Sequence, residues 1–276
     1  MSTRLFDKGR ENLAGAGNWA SDSVDASMVN LAVTDVAIKA ITGVTNATPM
    51  VVTSTTHGGS NGDIVVIKGV LGNTAANNTW QMGGVTANTY NLLTVNDAQN
   101  STGNGAYTSG GTGIDLTLAA ALTDVDAGII NGPIAVAGKS QTLGVLSATN
   151  PAFTSVTGTA SAVIFRDTTT SVPLIFVDGN TLVTCSAPAI ATATSIAVEK
   201  LAGPIANGTV LIFSNGVSAT LTAGANTGDR TLTVSSLANP IAAGHHADVQ
   251  TTGSGLPLTA SGGNYTFQWS AGIIKI

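Results

Sequence analysis

The chain has 276 residues, and Asp, Glu, Lys and Arg make up only 9% of it, against about 25% in an average globular protein. The formal net charge is −5, and the basic residues form no cluster, which argues against nucleic-acid binding by phosphate neutralisation. A protein exposed to water as a monomer usually keeps more surface charge for solubility. We therefore expect a protein that works inside an assembly; a stable monomer with a Thr- and Asn-rich surface is the alternative.

Targeting and redox signals are weak. No apolar run approaches the roughly 18 residues of a transmembrane helix, and the N-terminal stretch MSTRLFDKGREN is polar where a signal peptide would be apolar. We expect neither a membrane span nor export. The single cysteine, Cys185, cannot form an internal disulfide, and no Cys/His spacing is typical of a metal site. Cys185 is predicted to be a small buried residue on a strand, and no cofactor is expected.

The first 43 residues contain the only predicted helix. A short charged stretch over 5–13 ends at Gly15 and Gly17, so we expect one or two helical turns. Residues 28–41 are rich in β-branched side chains, and a strand is predicted over 29–33. Asp22 and Asp25 are predicted to be helix-cap or turn residues.

Residues 44–113 alternate short apolar runs with turns rich in Gly and Asn, which supply positive φ angles. Short strands at this spacing indicate a small sandwich or barrel, and we predict an inserted β-module here, with strands at 79–82 and 90–95. Trp80 and Tyr90 are expected in its core. His57 lies in a Gly-rich turn and is expected to be exposed to solvent.

The pattern changes again at residue 114. Asp124 and Asp126 form a D-x-D pair, but the full series of calcium ligands ending in a glutamate is missing, so a solvated turn is favoured over a calcium site. Strands are predicted over 114–122, 134–136, 141–145, 162–166 and 173–177.

A second inserted β-module is predicted at 183–250, because this segment contains an internal repeat. TSIAVEKLAGPIANG at 194–208 returns as RTLTVSSLANPIAAG at 230–244, 36 residues later, a period typical of repeated supersecondary units. His245 and His246 follow the second copy. They are predicted to be exposed turn residues, with metal binding or acid–base chemistry as the alternative.

The C-terminal part begins with a Gly/Ser/Thr linker at 251–255. Two short strands are predicted at the end of the chain, joined by Ser-Ala-Gly. Tyr265, Phe267 and Trp269 would share one face of the first strand. Aromatic residues in this arrangement are expected to be core rather than a binding platform.

Three blocks of sequence together resemble a family of small virion proteins of tailed bacteriophages. They are LFDKGREN at 5–12 with Asn18 and Trp19, then SAVIFRDTTTSVPLIFVD at 161–178, and NYTFQWSAGIIKI at 264–276. The resemblance covers about 1–43, 114–182 and 251–276, which we predict form a parent β-domain. The stretch IKGVLGNTAANNTW at 67–80 is similar to an Ig-like module of phage structural proteins. Loop tips tolerate such insertions because the cost of loop closure grows slowly with length.

The resemblance implies an all-β protein: an antiparallel sandwich or barrel with two inserted β-modules and at most one short N-terminal helix. It also implies a non-enzymatic role, with no catalytic, cofactor-binding or metal-binding residues. We expect a capsid decoration or cement protein on the outer surface of the virion, a homotrimer that binds the major capsid protein. The alternatives are a tail or head-fibre component, which would contact tail or portal proteins, and a carbohydrate-adhesion module, which would need Trp80 or Tyr90 exposed. An enzyme would need Asp124, Asp126 or the histidine pair to converge in a pocket.

Overall fold

The computed structural model describes residues 3–15, 17–143, 145–250, 256, 258–266 and 274–275. The protein is mostly β, with one short N-terminal helix and antiparallel ladders between the described strands, so the predicted all-β fold class is confirmed. In chain order the elements are β1 (Thr3–Leu5), α1 (Asp7–Ala14), β2 (Val24–Val29), β3 (Ile38–Ala40), β4 (Gly43–Val44), β5 (Val51–Thr53), β6 (Ile64–Lys68), β7 (Thr79–Gly83), β8 (Thr89–Leu93), β9 (Thr112–Asp115), β10 (Ile129–Ala135), β11 (Ser140–Thr142), β12 (Val145–Ser147), β13 (Ala152–Ala160), β14 (Ala162–Asp167), β15 (Val172–Val177), β16 (Asn180–Thr184), β17 (Ser195–Ala197), β18 (Val210–Ile212), β19 (Ser218–Thr220), β20 (Thr231–Thr233), β21 (His246–Gln250), β22 (Leu258–Thr266) and β23 (Ile274–Lys275), with 3-10 turns at Thr74–Ala76 and Leu122–Asp124.

The chain forms two compact units, each built from separate stretches of sequence. The first unit contains Lys39–Asp115 and Asn180–Ser254, and the second contains Thr3–Ile38, Leu116–Gly179 and Gly255–Ile276. The segments predicted as insertions thus share one unit.

The second unit is built on a five-stranded antiparallel sheet with the order β1-β15-β14-β2-β10. Its central strands β2 and β14 are buried along their whole length. The strands predicted at 162–166 and 173–177 are confirmed as β14 and β15. The strand predicted at 29–33 is wrong, because β2 covers Val24–Val29 and the chain turns immediately afterwards.

Other predicted elements of the second unit were only partly right. The stretch predicted as one strand at 141–145 divides into β11 and β12, with Leu143 in the left-handed region at φ 51° between them. The linker at 251–255, Phe267 and Trp269 lie outside the described residues, whereas Tyr265 lies in β22 and is half-buried. The remaining strands of the unit are a β13–β22 pair and a β11-β12-β23 sheet.

Helix α1 packs closely on β15, and Gly9 permits this approach. A Cβ atom at Gly9 would lie 2.4 Å from the Leu174 carbonyl oxygen and 2.7 Å from the Leu174 Cα. The glycine is therefore required by packing against a strand backbone, although it lowers the helix propensity of the segment.

We predict that Gly9→Ala lowers the free energy of unfolding of the second unit by about 1–3 kcal/mol, the usual cost of overpacking. Helix propensity alone predicts the opposite sign, since alanine favours a helix by about 1 kcal/mol over glycine. Denaturant unfolding followed by tryptophan fluorescence measures the change, with Lys8→Ala on the half-exposed side of the helix as the control. A stabilised Gly9→Ala protein would contradict the close packing.

The first unit contains a seven-stranded sheet with the order β3-β9-β6-β7-β8-β5-β4. The strands predicted at 79–82 and 90–95 are confirmed as β7 and β8, although β8 ends at Leu93. The strand predicted at 114–122 is wrong, since β9 ends at Asp115 and turns follow. The largest side chains of the core between these strands are Met50, Ile67, Trp80, Tyr90 and Leu92.

The repeat segment of the first unit folds as two interlocked halves. Strands β17 and β20 are equivalent in the two copies, and they pair antiparallel so that Ile196 lies opposite Leu232, its own equivalent. Two isolated bridges join other parts of the copies, Ala189 with Ile241 and Ile205 with Ala225. Ala189 and Ala225 are equivalent positions, as are Ile205 and Ile241, so each bridge becomes the other when the two copies are interchanged. Such pairs indicate an approximate two-fold axis between the copies.

The longer ladders are also related by interchanging the two copies. The structural repeat therefore extends beyond the two stretches that are visible in the sequence. Val183 pairs with Ala247 in the β16–β21 ladder, and the equivalent residues Ala219 and Leu211 pair in the β19–β18 ladder. A shared apolar core from both copies is buried between the ladders. The two copies therefore form one structural body and cannot bury their cores independently.

Candidate functional site

The histidine pair of the second repeat copy is buried, so the prediction of exposed turn residues is wrong. His245 is 8% exposed and His246 is 2% exposed. His246 begins β21 and lies opposite Thr184 of β16. The position equivalent to His246 in the first copy is Val210, which is 53% exposed. The difference arises because residues of the 39–115 segment cover the second copy at this point.

Asn78 fastens the 39–115 segment to His246. Its Nδ2 donates to the His246 carbonyl oxygen at 3.0 Å, and its Oδ1 lies 2.9 Å from His246 Nδ1. The same Oδ1 accepts the Thr79 backbone N–H, which identifies this atom as the amide oxygen. His246 Nδ1 must therefore carry a proton and donate it. The Trp80 ring packs against the imidazole with 5.2 Å between ring centroids.

His245 is held by a different partner, Ser214. Ser214 Oγ accepts the His246 backbone N–H at 3.1 Å and lies 2.7 Å from His245 Nδ1. A neutral His245 can accept the serine proton at Nδ1, which uses both the donor and an acceptor site of the hydroxyl. Thr102 extends the link, since its backbone N–H donates to the Ser214 carbonyl oxygen at 2.8 Å.

A charged pair completes the junction between the 39–115 segment and the repeat segment. Lys68 Nζ lies 2.9 Å from Asp248 Oδ2, and the Asp248 side chain is fully buried. Asp248 and His246 are two residues apart on β21, so their side chains lie on the same face of the strand. Lys68 and Asn78 both reach this face from the 39–115 segment. We call the group Lys68, Asn78, Ser214, His245, His246 and Asp248 the histidine junction.

The buried His245 of the histidine junction is expected to make the first unit sensitive to acid. Burial lowers the pKa of His245 below its ordinary value, with the nearby Asp97 carboxylate opposing the shift. As the pH falls below about 6.5, the ordinary histidine pKa, His245 becomes protonated in the unfolded chain but stays neutral in the folded protein. The folded state therefore loses stability until the pH has passed the lowered pKa of His245.

We predict that the free energy of unfolding of the first unit decreases between pH 7.5 and pH 5, roughly the range over which histidines titrate. Urea unfolding at a series of pH values measures the slope. His245→Thr introduces the residue that the first copy carries at the equivalent position, and it should reduce that slope. An unchanged slope in His245→Thr would show that His245 does not cause the acid sensitivity.

The contacts of the histidine junction suit fastening better than catalysis. Ser214 is 0% exposed, so its hydroxyl is out of reach of a substrate. The two imidazoles bind different partners, Ser214 and Asn78, instead of a common one. Among the residues that the structure describes, no three His, Cys, Asp or Glu side chains are grouped to hold a metal ion.

Trp80, Tyr90 and His57 of the 39–115 segment are also buried. Trp80 is 0% exposed and Tyr90 is 2% exposed, so neither offers the surface ring that a carbohydrate-adhesion platform needs. His57 is buried, contrary to the prediction, with its ring 4.9 Å from that of Tyr90. Burial, with a contribution from the Asp115 charge, raises the pKa of Tyr90.

The remaining chemically interesting residues lie apart from the junction. Burial raises the pKa of the Cys185 thiol to about 12, as expected of the predicted buried residue and not of a nucleophile. Asp124 Oδ2 accepts the backbone N–H groups of Ala120 and Ala121 and thus caps a 3-10 turn. Asp126 is exposed.

Sequence reasoning missed a buried ion pair in the second unit. Asp25 was predicted to be a cap or turn residue, as Asp22 is, but it lies within β2 directly opposite Arg166 of β14. Arg166 Nε and Nη2 donate to the two Asp25 carboxylate oxygens at 2.7 and 3.0 Å. Both residues are 8% exposed. The local sequence was misleading because a charged residue in a short polar segment is typical of a turn, and its buried partner lies far away in the chain.

Several apolar side chains are exposed and are therefore candidates for contact with other molecules. Leu143 is 92% exposed at the turn between β11 and β12. Ile190 is 72% exposed in the repeat segment, where the equivalent residue of the second copy is Asn226, so the fold itself does not require an apolar side chain there. The other large apolar residues that are exposed in the described part of the chain are Val33, Val36, Leu71 and Val210.

No protein-family model matches the chain, and no curated protein matches it significantly. Within the described residues, no helix has the length and apolar character needed to cross a membrane.

Proposed function

We propose that the chain is a non-enzymatic structural protein of a tailed-phage virion, and specifically a capsid decoration protein. The observation that carries the proposal is the placement of the first two sequence blocks that resemble such proteins. The block at 5–12 supplies the end of β1 and most of α1, and the block at 161–178 supplies β14 and β15. Leu5 pairs with Ile175 across the β1–β15 ladder, so two distant blocks form neighbouring parts of one sheet.

The character of the surface supports a role in assembly. Charged residues are 9% of the chain, and several large apolar side chains are exposed. Contacts made by such a surface would use hydroxyl groups, amides, apolar side chains and strand edges in place of ion pairs. The proposed partners are the major capsid protein and further copies of this chain, arranged as trimers on the outer surface of the shell.

Binding to shells that lack this protein tests the proposal. Purified chain is added in increasing amounts, and the bound copies per capsid subunit and the temperature of shell disruption are measured. A decoration protein should saturate at about one copy per capsid subunit, or one per few subunits, and should raise the disruption temperature. Saturation at a few copies per particle would favour a tail or fibre component, and no binding would contradict a capsid role. Leu143→Ser, at the most exposed of the large apolar side chains that the structure describes, tests whether that residue contributes.

A further inference from the structure

Strands β13 and β22 of the second unit form a separate two-stranded antiparallel ribbon of nine residues per strand. Its ladder runs from Ala152 opposite Thr266 to Ala160 opposite Leu258. One face is apolar and buried through Phe153, Val156, Ala160 and Ala260. The opposite face is exposed and covered with hydroxyl and amide side chains, namely Thr154, Thr157, Thr259, Ser261, Asn264 and Thr266.

The outer edge of β22 is open among the described strands. β10 packs beside β13, whereas β13 is the only described strand that forms a ladder with β22. The edge of a strand presents backbone N–H and C=O groups that can pair with another strand. Neither β13 nor β22 contains a charged residue or a proline, so β22 lacks the side chains that usually discourage such pairing.

The outer strands of the larger described sheets differ from β22. The longest of them, β10, contains Pro133, which lacks a backbone N–H donor and disfavours addition of a strand. The others, β1, β3, β4, β11 and β23, span only two or three residues each. A nine-residue uncharged edge is therefore particular to β22 within the described structure.

We propose that the outer edge of β22 pairs antiparallel with β22 of a second copy of this chain. The two ribbons then form one four-stranded sheet, in which the apolar faces continue on one side and the hydroxyl faces on the other. An antiparallel ladder between identical strands is self-complementary about a two-fold axis. Because the strand is uncharged, the pairing brings no like charges together. This contact between copies does not depend on the proposed role in a virion, and in a shell it would link neighbouring trimers.

A matched pair of substitutions tests the contact. Ser261 and Thr157 are exposed and lie opposite each other in the ribbon, but only Ser261 is on the strand with the open edge. In Ser261→Lys the lysines of two copies would face each other across the new ladder near its two-fold axis. In Thr157→Lys they would be separated by both β22 strands. The mass in solution is measured by light scattering over a concentration series.

We expect the mass of Ser261→Lys to fall below that of the unchanged protein, and the mass of Thr157→Lys to equal that of the unchanged protein. Equal masses for all three proteins, or equal losses in both variants, would overturn the proposal.

Cysteine crosslinking gives a second readout that does not rely on disrupting the contact. The only native cysteine, Cys185, is buried, so cysteines placed at Thr259, Ser261 or Asn264 are the accessible thiols. At least one of these variants should form disulfide-linked dimers of twice the 27.3 kDa chain mass under mild oxidation, and Thr157→Cys should not. Absence of linked dimers from all of them would contradict pairing through β22.

Discussion

Replacing Asp25 by alanine is expected to lower the free energy of unfolding of the second unit by about 3–5 kcal/mol, the usual cost of breaking a buried ion pair. Arg166 would keep its charge at a position that is 8% exposed and would lose both acceptors of its guanidinium group. The two residues lie opposite each other near the end of the β2–β14 ladder, and both are largely buried, so water can replace only part of the lost hydrogen bonding of the guanidinium. Denaturant unfolding followed by the fluorescence of Trp19, which packs near Phe165, measures the loss.

Two further variants show whether the unpaired charge causes the loss. Lys8→Ala removes an ion pair between the exposed side chains of Lys8 and Glu11 and should change the stability little, since such pairs contribute about 0–1 kcal/mol. The double variant Asp25→Leu with Arg166→Met removes both buried charges and should recover most of the stability lost in Asp25→Ala. If the double variant were less stable than Asp25→Ala, the unpaired Arg166 charge would not be the cause of the loss, and the ion pair itself would stabilise the sheet.

The second large effect is expected at the centre of the repeat. Leu232→Ala should lower the free energy of unfolding of the first unit by about 2–5 kcal/mol, and Ile196→Ala should have a similar effect. Both side chains are 0% exposed, and the residues lie opposite each other in the β17–β20 ladder. Each truncation leaves a comparable cavity because the two positions are equivalent about the approximate two-fold axis.

Hydrogen exchange of the repeat segment measures this effect locally, and urea unfolding measures it for the unit. Thr233→Ala, beside Leu232 but exposed, is the control and should change stability by less than about 0.5 kcal/mol, as is usual for surface substitutions. A loss confined to one of the two core variants would contradict the equivalence of the two copies.

Local sequence patterns were sufficient to predict a strand where the strand is continuous and the strand it pairs with is close in the chain. Strands β14 and β15 are rich in β-branched and aromatic residues, and they pair with each other across a short turn. Their positions were therefore predicted almost to the residue. The repeat was also visible, because its equivalent apolar residues are spaced by a constant 36 positions. The pairing of the two copies with each other was not visible, since a repeat of this length is equally compatible with stacked units.

The histidine junction could not be predicted from the sequence near it. Glycine before His245 favours an exposed turn, yet Asn78, which binds His246, lies 168 positions away in the chain. Asp25 and Arg166 present the same difficulty, with 141 positions between them. In these cases the sequence predicted exposed residues where the structure has buried ones, because the segments that cover them are distant in the chain.

The measurement that tests the central proposal most directly is the copy number of this chain in purified virions, obtained by quantitative mass spectrometry against the major capsid protein. A capsid decoration protein predicts about one copy per capsid subunit, or one per few subunits. A count of a few to a few tens per virion would place the chain in the tail, portal or fibres. Absence from virions would contradict a structural role in the particle altogether.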